Sequence, residues 1–77
     1  MRTITTLSQI GTILASRRKH LKLSQAEVAE RIGLSQNRLS VLESEPDSLT
    51  ARQLLALLNT LDLELIITER GSEPKGF

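Results

Sequence analysis

Four residues near the middle of the chain have side chains that can bond or pack against the edges of nucleic-acid bases. They are Gln36, Asn37, Ser40 and Val41. An amide can form two hydrogen bonds with N6 and N7 of adenine, a serine hydroxyl can serve several bases, and valine can contact the thymine methyl group. A solvated helix face normally carries Lys and Glu, and none stands at these four positions. These residue types therefore favour base reading over an ordinary exposed face.

Two short helices joined by a tight turn are predicted to position these residues. Ser24 and Glu27 form a capping box that opens the first helix. Gly33 ends that helix, because glycine readily adopts the left-handed backbone of a helix terminus. Ser35 is a favourable N-cap for the second helix, which is predicted from Gln36 to about Ser44. At about 100° per residue, Leu39 and Leu42 point to one side of this second helix, and Asn37, Ser40, Val41 and Ser44 point to the other.

The spacing of residues from Gln25 onward resembles the helix-turn-helix of phage-repressor and Xre-type regulators. Counting Gln25 as the first position, a small residue is fifth, glycine ninth, and apolar residues fifteenth and eighteenth: Ala29, Gly33, Leu39 and Leu42. The opening Ser-Gln-x-Glu-Val-Ala and the close Arg-Leu-Ser-x-Leu-Glu also match. The predicted buried seam is Val28, Ile32, Leu34, Leu39 and Leu42. A bare helical hairpin with an ordinary glycine end is the alternative.

The resemblance covers about residues 8–61 and implies an all-α, lambda-repressor-like DNA-binding fold of four to five helices. It implies that Gln36, Asn37 and Ser40 read bases on double-stranded operator DNA, with Val41 as a further candidate. Gln25 matches the position that contacts phosphate and braces the first recognition residue. The residues predicted to contact phosphate are Gln25, Ser35, Arg38, Arg17, Arg18 and Lys22.

Each of these phosphate contacts has a simpler alternative. Capping of the helix is sufficient to explain Ser35. Arg38 lies on the flank of its helix and can reach a phosphate, a guanine or a nearby acidic side chain. For the basic residues that precede the motif, a solvated surface position is the alternative to contact with the DNA backbone.

The pattern of apolar residues changes from helical to alternating at residue 63. Leu63, Leu65 and Ile67 alternate with other residues over 63–68, which predicts a strand. A lone strand after four helices has unpaired backbone groups, so we expect it to pair antiparallel with the same strand of a second copy. Pairing with residues 2–6 of the same chain is the alternative. The predicted dimer interface is Leu63, Leu65 and Ile67.

The second half of the chain narrows the resemblance to HipB-type antitoxins. Its Pro-Asp loop at residues 46–48, the capped helix after it, and the immediate Leu-acid-Leu strand match that subfamily. The resemblance implies a homodimeric repressor of its own operon that also binds a kinase-like toxin, in the bacterial cytoplasm and associated with the nucleoid. A stand-alone Xre-family regulator without a toxin partner is the alternative.

Composition excludes several other classes. The chain has 77 residues, no cysteine and one histidine, so we expect no metal site and no cofactor. It lacks a nucleophile–base set and a phosphate-binding glycine loop, and no apolar run approaches the length of a membrane span. We therefore expect neither an enzyme nor a membrane protein. Phe77 is the single aromatic residue, which argues against base-stacking modules.

The charges are unevenly divided along the chain. Residues 1–38 contain seven basic residues (Lys and Arg) and two acidic residues. Residues 39–77 contain three basic and seven acidic residues. The basic half favours an anionic partner. The predicted organisation is an N-terminal arm at 1–7, a DNA-binding domain at 8–62 with the helix-turn-helix at 24–44, a dimerisation strand at 63–68, and a flexible tail at 69–77.

Overall fold

Four α-helices and one short 3-10 helix make up the fold. The structure is a computed structural model, and it describes residues 3–70. The helices are α1 (Leu7–His20), α2 (Gln25–Arg31), α3 (Gln36–Ser44) and α4 (Ala51–Thr60), with a 3-10 helix at Pro46–Ser48. No strand occurs within residues 3–70. The predicted all-α architecture of four to five helices is confirmed.

The helix starts are fixed by the side chains that the sequence indicated. The Ser24 hydroxyl accepts from the Glu27 amide at 3.0 Å, and the Glu27 carboxylate accepts from the Ser24 amide at 3.1 Å. Thr50 and Gln53 form the same reciprocal pair at the start of α4, at 3.1 and 3.0 Å. Each pair satisfies two amides that have no partner within the helix. The predicted capping box at Ser24 is confirmed, and the helix predicted after the Pro-Asp loop is capped by Thr50.

Three helices end in the same way, with one residue in the left-handed region. The φ angles are 59° at Lys22 after α1, 74° at Gly33 after α2, and 57° at Asp62 after α4. The amide of the following residue then bonds back to the helix, as in a Schellman motif. That following residue is in each case a leucine packed against the core: Leu23, Leu34 and Leu63.

The core is built entirely from aliphatic side chains. The buried hydrophobic residues among those described are Leu14, Val28, Ala29, Leu39, Leu42, Leu57 and Leu61. Three members of the predicted seam are therefore fully buried, and Ile32 and Leu34 are half-buried at its edge. Helix α3 packs against both α1 and α2, so two helices fix its position.

Residues 63–69 have no regular secondary structure in the single chain. Leu63 packs against the core, but Leu65, Ile66 and Ile67 are largely exposed. The alternative pairing with the N-terminal arm is not formed by the described residues 3–6. The pairing with a second copy stays a prediction. Residues 1–2 of the arm and most of the predicted tail, including Phe77, lie outside the described residues.

One close helix contact has no obvious signal in the sequence. Gly11 of α1 is buried, and a Cβ atom at this position would overlap the carbonyl oxygen of Glu43 in α3. The backbone of Glu43 cannot move without shifting the last turn of α3. Glycine is therefore required at residue 11 for α1 and α3 to approach this closely.

We expect Gly11→Ala to lower the free energy of unfolding by about 1–3 kcal/mol, because the added methyl overpacks the contact between α1 and α3. In an unobstructed helix the same change would stabilise by up to about 1 kcal/mol. Ser16→Ala, at an exposed position of the same helix, is the control and should change stability by less than about 0.5 kcal/mol. Urea unfolding followed by circular dichroism measures both. A more stable Gly11→Ala protein would contradict the described contact.

Candidate nucleic-acid interface

The outer face of α3, formed by Gln36, Asn37, Ser40 and Val41, carries no charged side chain. Leu39 and Leu42 are buried on the inner side. On the outer side, Gln36 and Asn37 are exposed, and the side chains of Ser40 and Val41 are partly exposed. The predicted division of α3 into a buried side and an exposed side is therefore present, and base reading by the exposed side stays a prediction.

The polar side chains of this face have no partner within the protein. Among residues 3–70, the side chains of Gln36, Asn37 and Ser40 form no hydrogen bond. The Ser44 hydroxyl differs, because it donates to the carbonyl oxygens of Ser40 and Val41 at 3.1 and 3.3 Å. The amides at 36 and 37 are therefore available to an external partner.

A buried ion pair fixes α3 against α1. Arg18 Nε lies 2.7 Å from Glu43 Oε2, and Arg18 Nη2 lies 3.1 Å from Glu43 Oε1. Arg18 Nη1 also donates to the carbonyl oxygen of Leu23 at 3.0 Å. The side chains of the pair are 10% and 9% exposed. The phosphate contact predicted for Arg18 does not fit this geometry, because its side chain is buried and three of its N–H groups already bond Glu43 and Leu23.

Gln25 joins the same network from the start of α2. Its Nε2 donates to Glu43 Oε1 at 3.0 Å, so one carboxylate accepts from both α1 and α2. The expected bracing of the first recognition residue, Gln36, is not observed; the amide reaches the last turn of α3 instead. The phosphate contact predicted for Gln25 stays a prediction.

The remaining predicted phosphate contacts divide into two groups. Arg17 is half-buried and its Nε donates to the carbonyl oxygen of Leu61 at 2.9 Å, where it caps the end of α4. Arg17 therefore has a structural role. Ser35 caps α3 through its contact with the Arg38 amide at 3.0 Å. Arg38 forms no ion pair with the described acidic residues, and Lys22 is exposed at the end of α1.

The ion pair shifts the titration of both its members. Burial raises the pKa of Glu43, but hydrogen bonds from Arg18 and Gln25 and the charges of Arg18 and Lys19 outweigh it, so the pKa lies below its ordinary value of 4.5. The hydrogen bond to Glu43 raises the pKa of Arg18. Glu43 therefore remains ionised at neutral pH, and the pair is intact.

Comparison with known sequences decides the family. The sequence pattern of the HTH_3 family, described as helix-turn-helix, matches residues 14–67, which is more than half of the chain. The chain belongs to the HTH_3 family. As an HTH_3 member with this fold, it is a DNA-binding regulator and not an enzyme. No curated protein matches the sequence significantly.

Solved structures similar to this HTH_3 chain include several of HipB. A HipB variant in complex with an O2 20-mer is 26% identical with a TM-score of 0.82, over 91% of this chain and 97% of that one. A chain of the HipB–O1–O2 complex is 25% identical with a TM-score of 0.81, and the match covers 90% of this chain and 100% of that one. A chain of the HipA–HipB–O2–O3 complex is 24% identical with a TM-score of 0.83, and the match covers 91% of this chain and 99% of that one. The HipB-like fold inferred from the sequence is confirmed.

Other kinds of site receive no support from the described residues. None of α1–α4 is long and apolar enough to cross a membrane. Within residues 3–70, no group of three or more histidine, aspartate or glutamate side chains is arranged to bind a metal ion.

We expect Glu43→Gln to lower the free energy of unfolding by about 3 kcal/mol at pH 7, because it leaves the Arg18 charge buried without its counter-ion. A carboxylate with a lowered pKa stabilises the fold above its ordinary pKa, and that contribution is lost as pH falls through the lowered value. The difference between the wild type and the variant should therefore shrink below about pH 4.5.

Urea unfolding of both proteins from pH 7 to pH 3 measures this difference. Glu45→Gln is the matched control, since Glu45 is exposed and two residues away. It should change the free energy of unfolding by less than about 0.5 kcal/mol at each pH. A constant difference between wild type and Glu43→Gln across the range would contradict an ionised, stabilising Glu43.

Proposed function

We propose that this HTH_3 protein is a sequence-specific transcriptional repressor that binds operator DNA as a homodimer. We further propose that it is the antitoxin of a HipBA-like operon, which represses its own promoter and neutralises a kinase-like toxin. Its place is then the bacterial cytoplasm, in association with the nucleoid.

The outer face of α3 carries the DNA-binding part of the proposal. Gln36 and Asn37 stand exposed in the first turn, with no hydrogen-bond partner within residues 3–70. Repressors of this architecture lay the N-terminal residues of the second helix on base edges in the major groove. Ser40 and Val41, one turn further along, extend the same face. The HipB complexes with 20-mers support this use of the fold.

Contacts to the DNA backbone are proposed at the margins of this face. Lys22, Ser35, Arg38 and Gln25 are all at least partly exposed. Lys22 and Arg38 supply positive charge, and release of counter-ions from DNA makes such binding strongly dependent on salt. Arg18 is not part of this set, because its side chain is buried against Glu43. Arg17 bonds the carbonyl oxygen of Leu61 through Nε only, and its contact with phosphate stays a prediction.

We expect Gln36→Ala and Asn37→Ala each to weaken operator binding by about 1–3 kcal/mol, because each removes a two-bond contact with a base. Fluorescence anisotropy on operator and scrambled duplexes measures the loss. Asn59→Ala is the matched control: Asn59 is an exposed amide on α4, away from the proposed interface. Unchanged operator affinity in both α3 variants, with the control also unchanged, would contradict base reading by this face.

The proposed dimer interface is the segment after α4. Leu63, Leu65 and Ile67 have no strand partner in the single chain, and Leu63 and Leu65 border an apolar groove of about 560 Å³ between α1 and α4. A second copy related by a two-fold axis would pair the two segments and cover both grooves. It would also present two α3 helices to two half-sites of a symmetric operator.

We expect Leu65→Asp to yield monomer, because the charge falls on the face that the second copy covers. The size of the protein in solution, measured by sedimentation equilibrium, tests this. Leu55→Asp is the matched control, since Leu55 on α4 is 51% exposed and Leu65 is 52% exposed. Circular dichroism shows whether each variant is folded. A folded, stable dimer of Leu65→Asp would contradict the proposed interface.

The toxin partner is supported by the HipA–HipB complex, whose HipB chain has this fold. The adjacent gene distinguishes the proposal from a stand-alone Xre-family regulator. A kinase-like reading frame beside the gene, whose product co-purifies with this protein, is the expected result. An isolated gene would favour the stand-alone regulator.

A further inference from the structure

We propose that α3 reads A·T base pairs, with Asn37 bonding an adenine and Val41 contacting the 5-methyl group of a thymine one or two steps away. This inference rests on the proposed function, because it requires α3 to lie in the major groove. It adds the class of base pair that each residue selects.

Asn37 and Val41 are one turn apart on the same ridge of α3. Residues spaced by four positions in a helix have Cβ atoms about 5–6 Å apart. Successive base pairs are about 3.4 Å apart along the duplex, so the two side chains reach neighbouring pairs or pairs two steps apart. Both side chains lie opposite the buried Leu39 and Leu42. With α3 in the major groove, both side chains would therefore contact base edges at the same time.

The ridge of Asn37 and Val41 carries no charged side chain for the strongest contacts with G·C pairs. Arginine and lysine are the commonest partners of guanine, and Glu or Asp accepts from the amino group of cytosine. Arg38 is the one cation of α3, and it is rotated about 100° from Asn37 toward the flank. The Glu43 carboxylate is turned inward onto Arg18 and Gln25. Neither charge stands on the ridge of Asn37 and Val41.

The remaining groups on the face fit adenine and thymine. The Asn37 amide has a donor and an acceptor, both without a partner among the described residues, and adenine offers N7 and the N6 amino group in the complementary order. Val41 is an aliphatic side chain, and the thymine methyl is the apolar group exposed in the major groove. The Ser44 hydroxyl hydrogen is already used within α3.

Two experiments in sequence test the inference. First, the wild-type protein selects half-sites from a pool of random duplexes. Base analogues are then placed in the selected site. Replacing an adenine by 7-deazaadenine removes N7, and replacing a thymine by uracil removes the methyl group. We expect 7-deazaadenine at one position to weaken wild-type binding roughly fivefold to tenfold, as loss of one of two hydrogen bonds. Uracil at a nearby position should weaken it about fourfold, as loss of one buried methyl group.

The matching variants assign each effect to a residue. Asn37→Ala should be insensitive to 7-deazaadenine and still sensitive to uracil, and Val41→Ala should show the reverse. Equal sensitivity of wild type and variants to both analogues would overturn the inference while leaving specific binding intact. Enriched half-sites with G·C pairs at the contacted positions would also overturn it. Failure to enrich any sequence would overturn both the inference and the proposed function.

Discussion

The buried ion pair between Arg18 and Glu43 holds the helices in the arrangement on which the outer face of α3 depends. Its carboxylate accepts from α1 through Arg18 and from α2 through Gln25, and Arg18 also bonds the carbonyl oxygen of Leu23 in the intervening turn. Buried charges destabilise a fold unless their hydrogen bonds are complete. Here no buried side-chain nitrogen or oxygen among the described residues lacks a partner. The last turn of α3 is thus fixed against α1 and α2, and Gln36 and Asn37 in its first turn are exposed.

Local features of the fold could be predicted from the sequence, because their signals lie within a few residues. The capping boxes at Ser24 and Thr50, the left-handed Gly33 and the inward leucines of α3 each follow from local rules. Lys22 and Asp62 adopt the same left-handed conformation without being glycine, and neither was identified from the sequence. The leucine that follows each of them, which packs against the core, is the sequence signal that could have predicted this helix end.

Contacts between distant residues could not be predicted in the same way. Arg18 lies in a basic run before the motif, where contact with phosphate was a reasonable expectation; its partner Glu43 is 25 positions away. Gly11 gives no local signal, because its role is to admit the Glu43 backbone. The segment from Leu63 onward has a strand pattern but no partner within one chain, so its structure depends on assembly. These are the points at which tertiary or quaternary contacts override local pattern.

We propose that the outer face of α3 gives sequence-specific binding to the protein's own operator. The most direct test is anisotropy of the wild-type protein on a labelled duplex from upstream of its gene, against a scrambled duplex, at about 150 mM salt. We expect binding at least about a thousandfold tighter to the upstream duplex. Equal, weak binding to both duplexes, with dissociation constants of roughly 10⁻⁴–10⁻⁶ M, would contradict it.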